Sequence, residues 1–211
     1  MTQTPLSGRR AQAAKNDEVI LAAARAVFVA DPTAPIAAVA DRAGVGISAL
    51  YRRYASKEEL LRKLCADGLE RYIAEAEAAL ADDRDPWTAF AAFLHRLVDA
   101  DSNSLAQKLA GTFTPTPELY AQGARAQQLN EQVFARVSGA GELRDGIVVD
   151  DIGLILEQVT SLKLGDAERS NQLRHRYLAM FLRALRITPD DSPLPGPAPR
   201  WEELYSRWTA E

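Results

Sequence analysis

Cysteine occurs once in this 211-residue chain, at Cys65, and histidine twice, at His95 and His175. A single thiol cannot close a disulfide within the chain and fits a reducing compartment. On its helical face Cys65 reads as a small core residue rather than a nucleophile. Neither histidine stands at metal-ligand spacing from Cys, His or carboxylates, so no metal and no cofactor is expected. No run approaches the roughly 18 apolar residues of a membrane span. The opening MTQTPLSGRRAQAAK lacks the apolar core of a secretory signal. The expected location is therefore the cytoplasm, with no membrane partner. Glycine-rich phosphate loops, nucleophile elbows and paired-carboxylate patterns are also missing, and enzymatic activity has no support. There is no convincing strand pattern and no internal repeat.

What is present is ordinary in amount and uneven in placement. Hydrophobic residues make up 47% of the chain, ample for a buried core, and the formal net charge is −4. Residues 1–57 carry eight Lys/Arg (Arg9, Arg10, Lys15, Arg25, Arg42, Arg52, Arg53, Lys57) against four acids, a balance of +4. The remainder holds 17 bases and 25 acids, a balance of −8. A basic head on an acidic body is an electrostatic footprint consistent with a nucleic-acid partner.

Periodicity makes the chain all-α. Residues 1–14, polar, small and basic, read as a flexible arm. From Asp17 a helix places Ile20, Ala23, Ala24, Val27 and Phe28 on one face, and Asp31-Pro32 stops it. A short second helix from about Pro35 turns Ile36, Val39, Ala40 and Ala43 inward and ends at Gly44, the residue suited to a left-handed helix end. A third spans Ile47 to Tyr54. Ser56 through Glu59 reads as a capping box that opens a long fourth helix reaching Leu80. Further helices are expected from Asp85-Pro86, over about Ser104–Ala110, from Thr116-Pro117, and over about 150–164 and 168–186. A proline-rich tail ends in a helical turn or two near Trp201–Trp208. The domain divisions expected are an arm at 1–14, a helix-turn-helix head at 15–58, a helical body at 59–187 and a tail at 188–211.

The informative stretch is Ile36–Leu61, IAAVADRAGVGISALYRRYASKEELL. Two short helices joined by a glycine-bearing turn make a helix-turn-helix. Ala40 must be small where the third helix crosses, Gly44 supplies the turn, and Val45 and Leu50 fill the space between. Gly46, Ile47, Ser48, Ala49, Tyr51 and Arg52 are left on or near the outer surface, on a helix of a size that enters the major groove.

Over about Asp17–Leu64 the sequence resembles the tetracycline-repressor (TetR/AcrR) family of bacterial regulators. The residues that carry the likeness are the Ile-Leu-Ala-Ala-Ala…Val-Phe of the first helix, Val39-Ala40…Ala43-Gly44-Val45-Gly46, Leu50-Tyr51-Arg52-Arg53-Tyr54 and Ser56-Lys57-Glu58. The resemblance implies phosphate contacts by Tyr51 and Lys57 and a base-reading face at Ile47, Ser48 and Ala49. Many members carry Lys and Thr where this chain has Ile47 and Ala49. Readout is then shifted toward thymine methyls and backbone shape.

For the body, the resemblance implies a small-molecule effector site and homodimerisation through the last two long helices. Candidate pocket residues are Trp87, Phe90, Phe113, Tyr120 and Phe134; Phe93, His95 and Leu109 lie on the same helices. Candidate dimer residues are Ile152, Ile155, Leu156 and Val159 on one helix, with Tyr177, Phe181 and Leu185 on the other. The expected function is a transcriptional repressor that binds a near-palindromic double-stranded operator as a dimer and is released by a small molecule. The alternative is a ligand-binding helical dimer whose DNA binding is weak or lost, suggested by the apolar Ile47 and Ala49.

Overall fold

The computed structural model describes residues 5–100, Leu109, residues 111–187 and residues 192–206; for 5–15 and 205 it describes the backbone alone. Nine helices follow one another in these residues: α1 Pro5–Ala30, α2 Ile36–Ala43, α3 Ile47–Arg53, α4 Lys57–Leu80, α5 Pro86–Ala100, α6 Pro117–Gly139, α7 Val149–Ser161, α8 Ala167–Leu185 and α9 Trp201–Tyr205. Among them there is no strand, only one isolated antiparallel bridge between Leu143 and Arg186. The fold is all-α.

The local signals act where the sequence puts them. At the end of α1 the Asp31 carboxylate accepts from the backbone N–H and the hydroxyl of Thr33, at 2.8 and 2.6 Å, and turns the chain toward α2. Gly44 closes α2 in the left-handed region at φ 66°, where a Cβ would be strained. Ser56 Oγ accepts from the Glu59 N–H at 3.1 Å, capping α4. The Asp85 carboxylate caps α5 through the Thr88 N–H, and Thr116 Oγ caps α6 through Leu119.

Two boundaries and one cap contact differ from the sequence expectation. α1 begins at Pro5 rather than near Asp17, so most of the stretch read as an arm continues the first helix. Proline suits a first helical turn, and Arg9–Asn16 is mainly Ala, Gln, Arg and Lys with no helix breaker. Pro35 is the cap residue of α2 rather than its first residue. The Glu59 carboxylate reaches past Ser56 to the backbone N–H of Ala55, at 2.6 Å. The helix expected over Ser104–Ala110 lies outside the described residues, apart from Leu109, which is buried.

Two apolar cores divide the molecule. The first holds Ile20, Ala23, Ala24 and Phe28 of α1, Ile36, Val39 and Ala40 of α2, Leu50 of α3, and Leu60, Leu61, Leu64 and Cys65 of α4. Leu109, Phe113 and Leu119 join it, so the segment entering α6 is rooted in the core of the head. The second core lies among α4–α8, around Phe90, Phe93, Leu94, Leu97, Leu129, Val133, Ile152, Leu156, Val159, Leu178 and Leu182. Burial pushes the Cys65 thiol up to about 12, as expected of a core thiol rather than a reactive one.

Candidate nucleic-acid interface

Helix α3 is seven residues long, and one apolar side chain holds it down: Leu50 is fully buried against α1, α2 and α4. Because Leu50 points inward, the opposite face must point out. Ile47 is 40% exposed and Tyr51 48% exposed, high values for residues of their size. Gly46, Ser48 and Arg52 are exposed and Ala49 half-buried. The six candidate residues of this stretch thus lie on one projecting face.

The far end of α3 is tied to α1. Arg53 donates through Nε to Asp17 Oδ1 at 2.8 Å and through Nη2 to Asp17 Oδ2, and the Tyr54 hydroxyl donates to Asp17 Oδ1 at 2.8 Å. Hydrogen bonding from the Arg53 guanidinium is the main cause that holds the Asp17 carboxyl below its usual range. Tyr54 itself is buried, and that burial, more than its bond to Asp17, pushes its hydroxyl up.

A carboxyl held low in the folded state contributes stability above its ordinary value of 3.8, and that contribution is lost as pH falls through the lowered value. Asp17→Asn should therefore lower stability by about 1 kcal/mol at neutral pH. The difference from the unmodified protein should shrink at about pH 3, measured by denaturant melts at both pH values. An equal difference at both would mean that the charge on Asp17 is not what matters.

Lys57, placed by resemblance on a phosphate, has two contacts within the protein. Its Nζ donates to the Pro32 carbonyl at 3.0 Å and lies 5.1 Å from the centroid of the Phe28 ring. The lysine thereby pins the α1–α2 turn to the start of α4. Neither this role nor the Asp17–Arg53–Tyr54 cluster was visible in the sequence, since the partners lie 25 to 37 positions apart.

In the body, the five candidate pocket residues do not converge. Phe90 is buried in the body core, with Trp87 and Phe134 packed against it; Phe113 is buried in the head core; Tyr120 is 42% exposed. Trp87 is covered by the Arg186 guanidinium, 4.9 Å from its ring. An open cleft of about 360 Å³ lies between α4 and the start of α6, lined by Tyr54, Glu59, Arg62, Lys63, Thr116, Leu119 and neighbours, and none of the five reaches it.

The dimer candidates differ in exposure. Within the single chain, Ile152, Leu156, Val159 and Leu185 are buried in its own core. Ile155 and Phe181 pack against that core from its edge. Of the seven, Tyr177 alone is exposed, and Met180, one turn on, is 54% exposed. A hydrophobic stripe shows that a face is covered, and here the cover is the same chain.

A short helix-turn-helix with its second helix projecting has the form of a head that docks on DNA, and residues 20–64 match the model described as bacterial regulatory proteins, tetR family. The head is thus similar to that of tetR-family regulatory proteins, and the chain as a whole shares the fold of solved regulators of that kind. The ketosteroid transcriptional regulator KstR2 of Mycobacterium tuberculosis superposes with a TM-score of 0.60 at 21% identity, over 82% of this chain and 96% of that one. The TetR-like regulator LfrR of Mycobacterium smegmatis, solved in complex with proflavine, gives 0.58 at 19%, over 80% and 96%. A TetR regulator of Streptomyces coelicolor gives 0.53 at 24%, over 81% and 98%. No curated protein matches the sequence.

Proposed function

We propose that this protein is a transcriptional repressor that binds a near-palindromic operator as a homodimer and leaves it when a small molecule enters the body. The observation that carries the reading is the projecting face of α3, where Ile47, Ser48, Tyr51 and Arg52 are all open to solvent. Two copies would set their α3 helices in successive major grooves, with half-sites about one helical turn apart. Ile47 and Ala49 favour apolar contact with thymine methyls, and Tyr51 and Arg52 favour the phosphates on either side. The partner surface that best suits the dimer is the outer face of α8, at Tyr177 and Met180.

Effector release is supported by the way head and body are joined. The Arg62 Nε of α4 donates to the Thr114 carbonyl at 2.9 Å, and Glu58 Oε1 accepts from the Thr114 N–H at 3.2 Å. Phe113 beside it is buried in the head core. A shift of this segment in the body is thus carried to α4 and the head, and a coupling of about 1–3 kcal/mol would change operator affinity roughly 5- to 150-fold. Of the solved structures with this fold, one was determined in complex with proflavine and another is a ketosteroid transcriptional regulator, which supports a small-molecule effector here.

The test is selection of bound sequences from random duplex DNA, followed by mobility-shift titration at several salt concentrations. The expected outcome is a near-palindromic site whose affinity falls steeply with salt. Arg52→Ala should weaken binding about tenfold and flatten the salt dependence by about one charge, with the melting temperature unchanged. The Arg52 side chain is exposed and has no hydrogen bond or ion pair among the described residues. Failure to enrich any sequence, with a dimer present in solution, would favour the ligand-binding dimer that has lost DNA binding.

A further inference from the structure

The two histidines of the chain, 80 positions apart, meet between α5 and α8. His95 Nδ1 lies 2.7 Å from His175 Nδ1, and His175 Nε2 lies 2.7 Å from Asp99 Oδ1. Asn171 Nδ2 reaches the same carboxylate oxygen at 3.4 Å. We propose that Asp99, His175 and His95 form a proton-operated latch between α5 and α8, which survives the first protonation of the histidine pair and opens on the second.

Geometry fixes the number of hydrogens. The ring centroids are 5.0 Å apart and the planes within 17° of each other. That separation is little more than the N···N distance plus one ring radius at each end, so the rings meet end to end. Each Nδ1 points along the line to the other, and only one hydrogen fits between them. An ionised carboxylate only accepts, so His175 Nε2 carries a hydrogen. In the neutral pair His175 Nδ1 therefore presents a lone pair, His95 Nδ1 donates to it, and His95 Nε2 is bare.

The first added proton goes to His95 Nε2. The hydrogen between the rings then shifts toward His175, which moves the positive charge next to Asp99. The contact survives and its charge is compensated. The second proton leaves a hydrogen on both Nδ1 atoms, facing each other, with two positive charges a hydrogen-bond length apart. That state cannot keep the contact.

Among the described residues, little else is placed to absorb the second charge. His95 is held below its ordinary value first by burial and then by the His175 charge, with Asp99 the one group opposing them. On α4, Glu75 is paired with Arg96 at 2.5 Å. On α8, Arg174 is turned to the Leu162 carbonyl at 3.2 Å. The faces that α6 and α7 bring to this core are apolar: Leu129 and Val133, then Ile152, Leu156 and Val159. Since the folded His95 value lies below the unfolded one, stability from the neutral ring is full above the ordinary 6.5 and falls as pH drops below it.

The test needs no DNA and uses the full chain, so it is independent of the operator reading. Ring-nitrogen NMR from about pH 8 to about pH 5 should show His175 in its Nε2–H form at high pH and two separated titration steps for the pair. Amide exchange in α5 and α8 should rise about tenfold or more across the second step alone, the equivalent of one pKa unit of coupling. In Asp99→Asn the opening should move to higher pH, and in His95→Gln the rise should vanish. Two histidines titrating together as independent groups, a bare His175 Nε2 at high pH, or an exchange rise that persists in His95→Gln would each overturn the latch.

Discussion

Replacing Phe28 by alanine should lower stability by about 3–5 kcal/mol, the range for deleting a buried aromatic ring from a core that relaxes only in part. Phe28 is fully buried, among the largest side chains of the head core, and carries Lys57 over its ring. Its loss removes the packing of α1 on the rest of the head and one of the two contacts that hold Lys57 at the start of α4. The melting temperature of a chain this size should fall by roughly 10 °C. Val19→Ala, on the exposed side of the same helix, should change stability by less than about 0.5 kcal/mol. Because Leu109, Phe113 and Leu119 share the core, the melt of Phe28→Ala should remain a single transition reported alike by head and body probes. An early head transition followed by an undisturbed body melt would show that the shared core does not couple them.

That shared core also explains which parts of the molecule could be read from sequence. The head could, because its signals are local: Gly44 ends α2 within eight residues of its start, and Ser56 finds Glu59 three positions on. The inward residues Ile36, Val39, Ala40 and Leu50 are buried as their spacing requires. The body could be read only as helices with covered faces. Ile152, Leu156 and Leu185 have the spacing of an interface stripe, yet within the chain they are covered by its own body core, and periodicity does not name the covering element. The aromatic residues are likewise spread over two cores. Phe90 and Phe113 are both buried, but in different cores, and their nearness in sequence says nothing of that.

Longer-range polar contacts were hidden altogether. Nothing in the residues around Asp17 announces Arg53, and nothing near His95 announces His175. These contacts share a role: each joins helices that the apolar cores bring close without fixing their rotation. Apolar packing is tolerant of small slides between helices, whereas a bidentate guanidinium or an end-to-end pair of rings is not. The face that α3 presents is thus set by Leu50 for direction and by Arg53 with Asp17 for angle.

The same reasoning applies with most force to Arg136. From α6 its Nη1 donates to the carbonyls of Ala79 and Leu80, at 2.9 and 3.2 Å, and its Nη2 to those of Asp82 and Arg84, at 2.5 and 3.1 Å. The last carbonyls of a helix have no partners within it, and a cation there is also favoured by the helix dipole. One guanidinium closes the end of α4 and the turn that follows. Arg136→Met should lower stability by about 1.5–3 kcal/mol, the range for a single charge-assisted hydrogen bond, even if the four act as no more than one. Arg136→Lys keeps the charge but has no planar fork to span four acceptors, so most of the loss should remain. Since α4 is clasped to the Thr114 segment at its other end, loosening this one should also raise amide exchange through the last turns of α4. Denaturant melts of the two variants decide the matter. If Lys restores full stability, the dipole alone accounts for Arg136 and the fixed angle between α4 and α6 must come from packing.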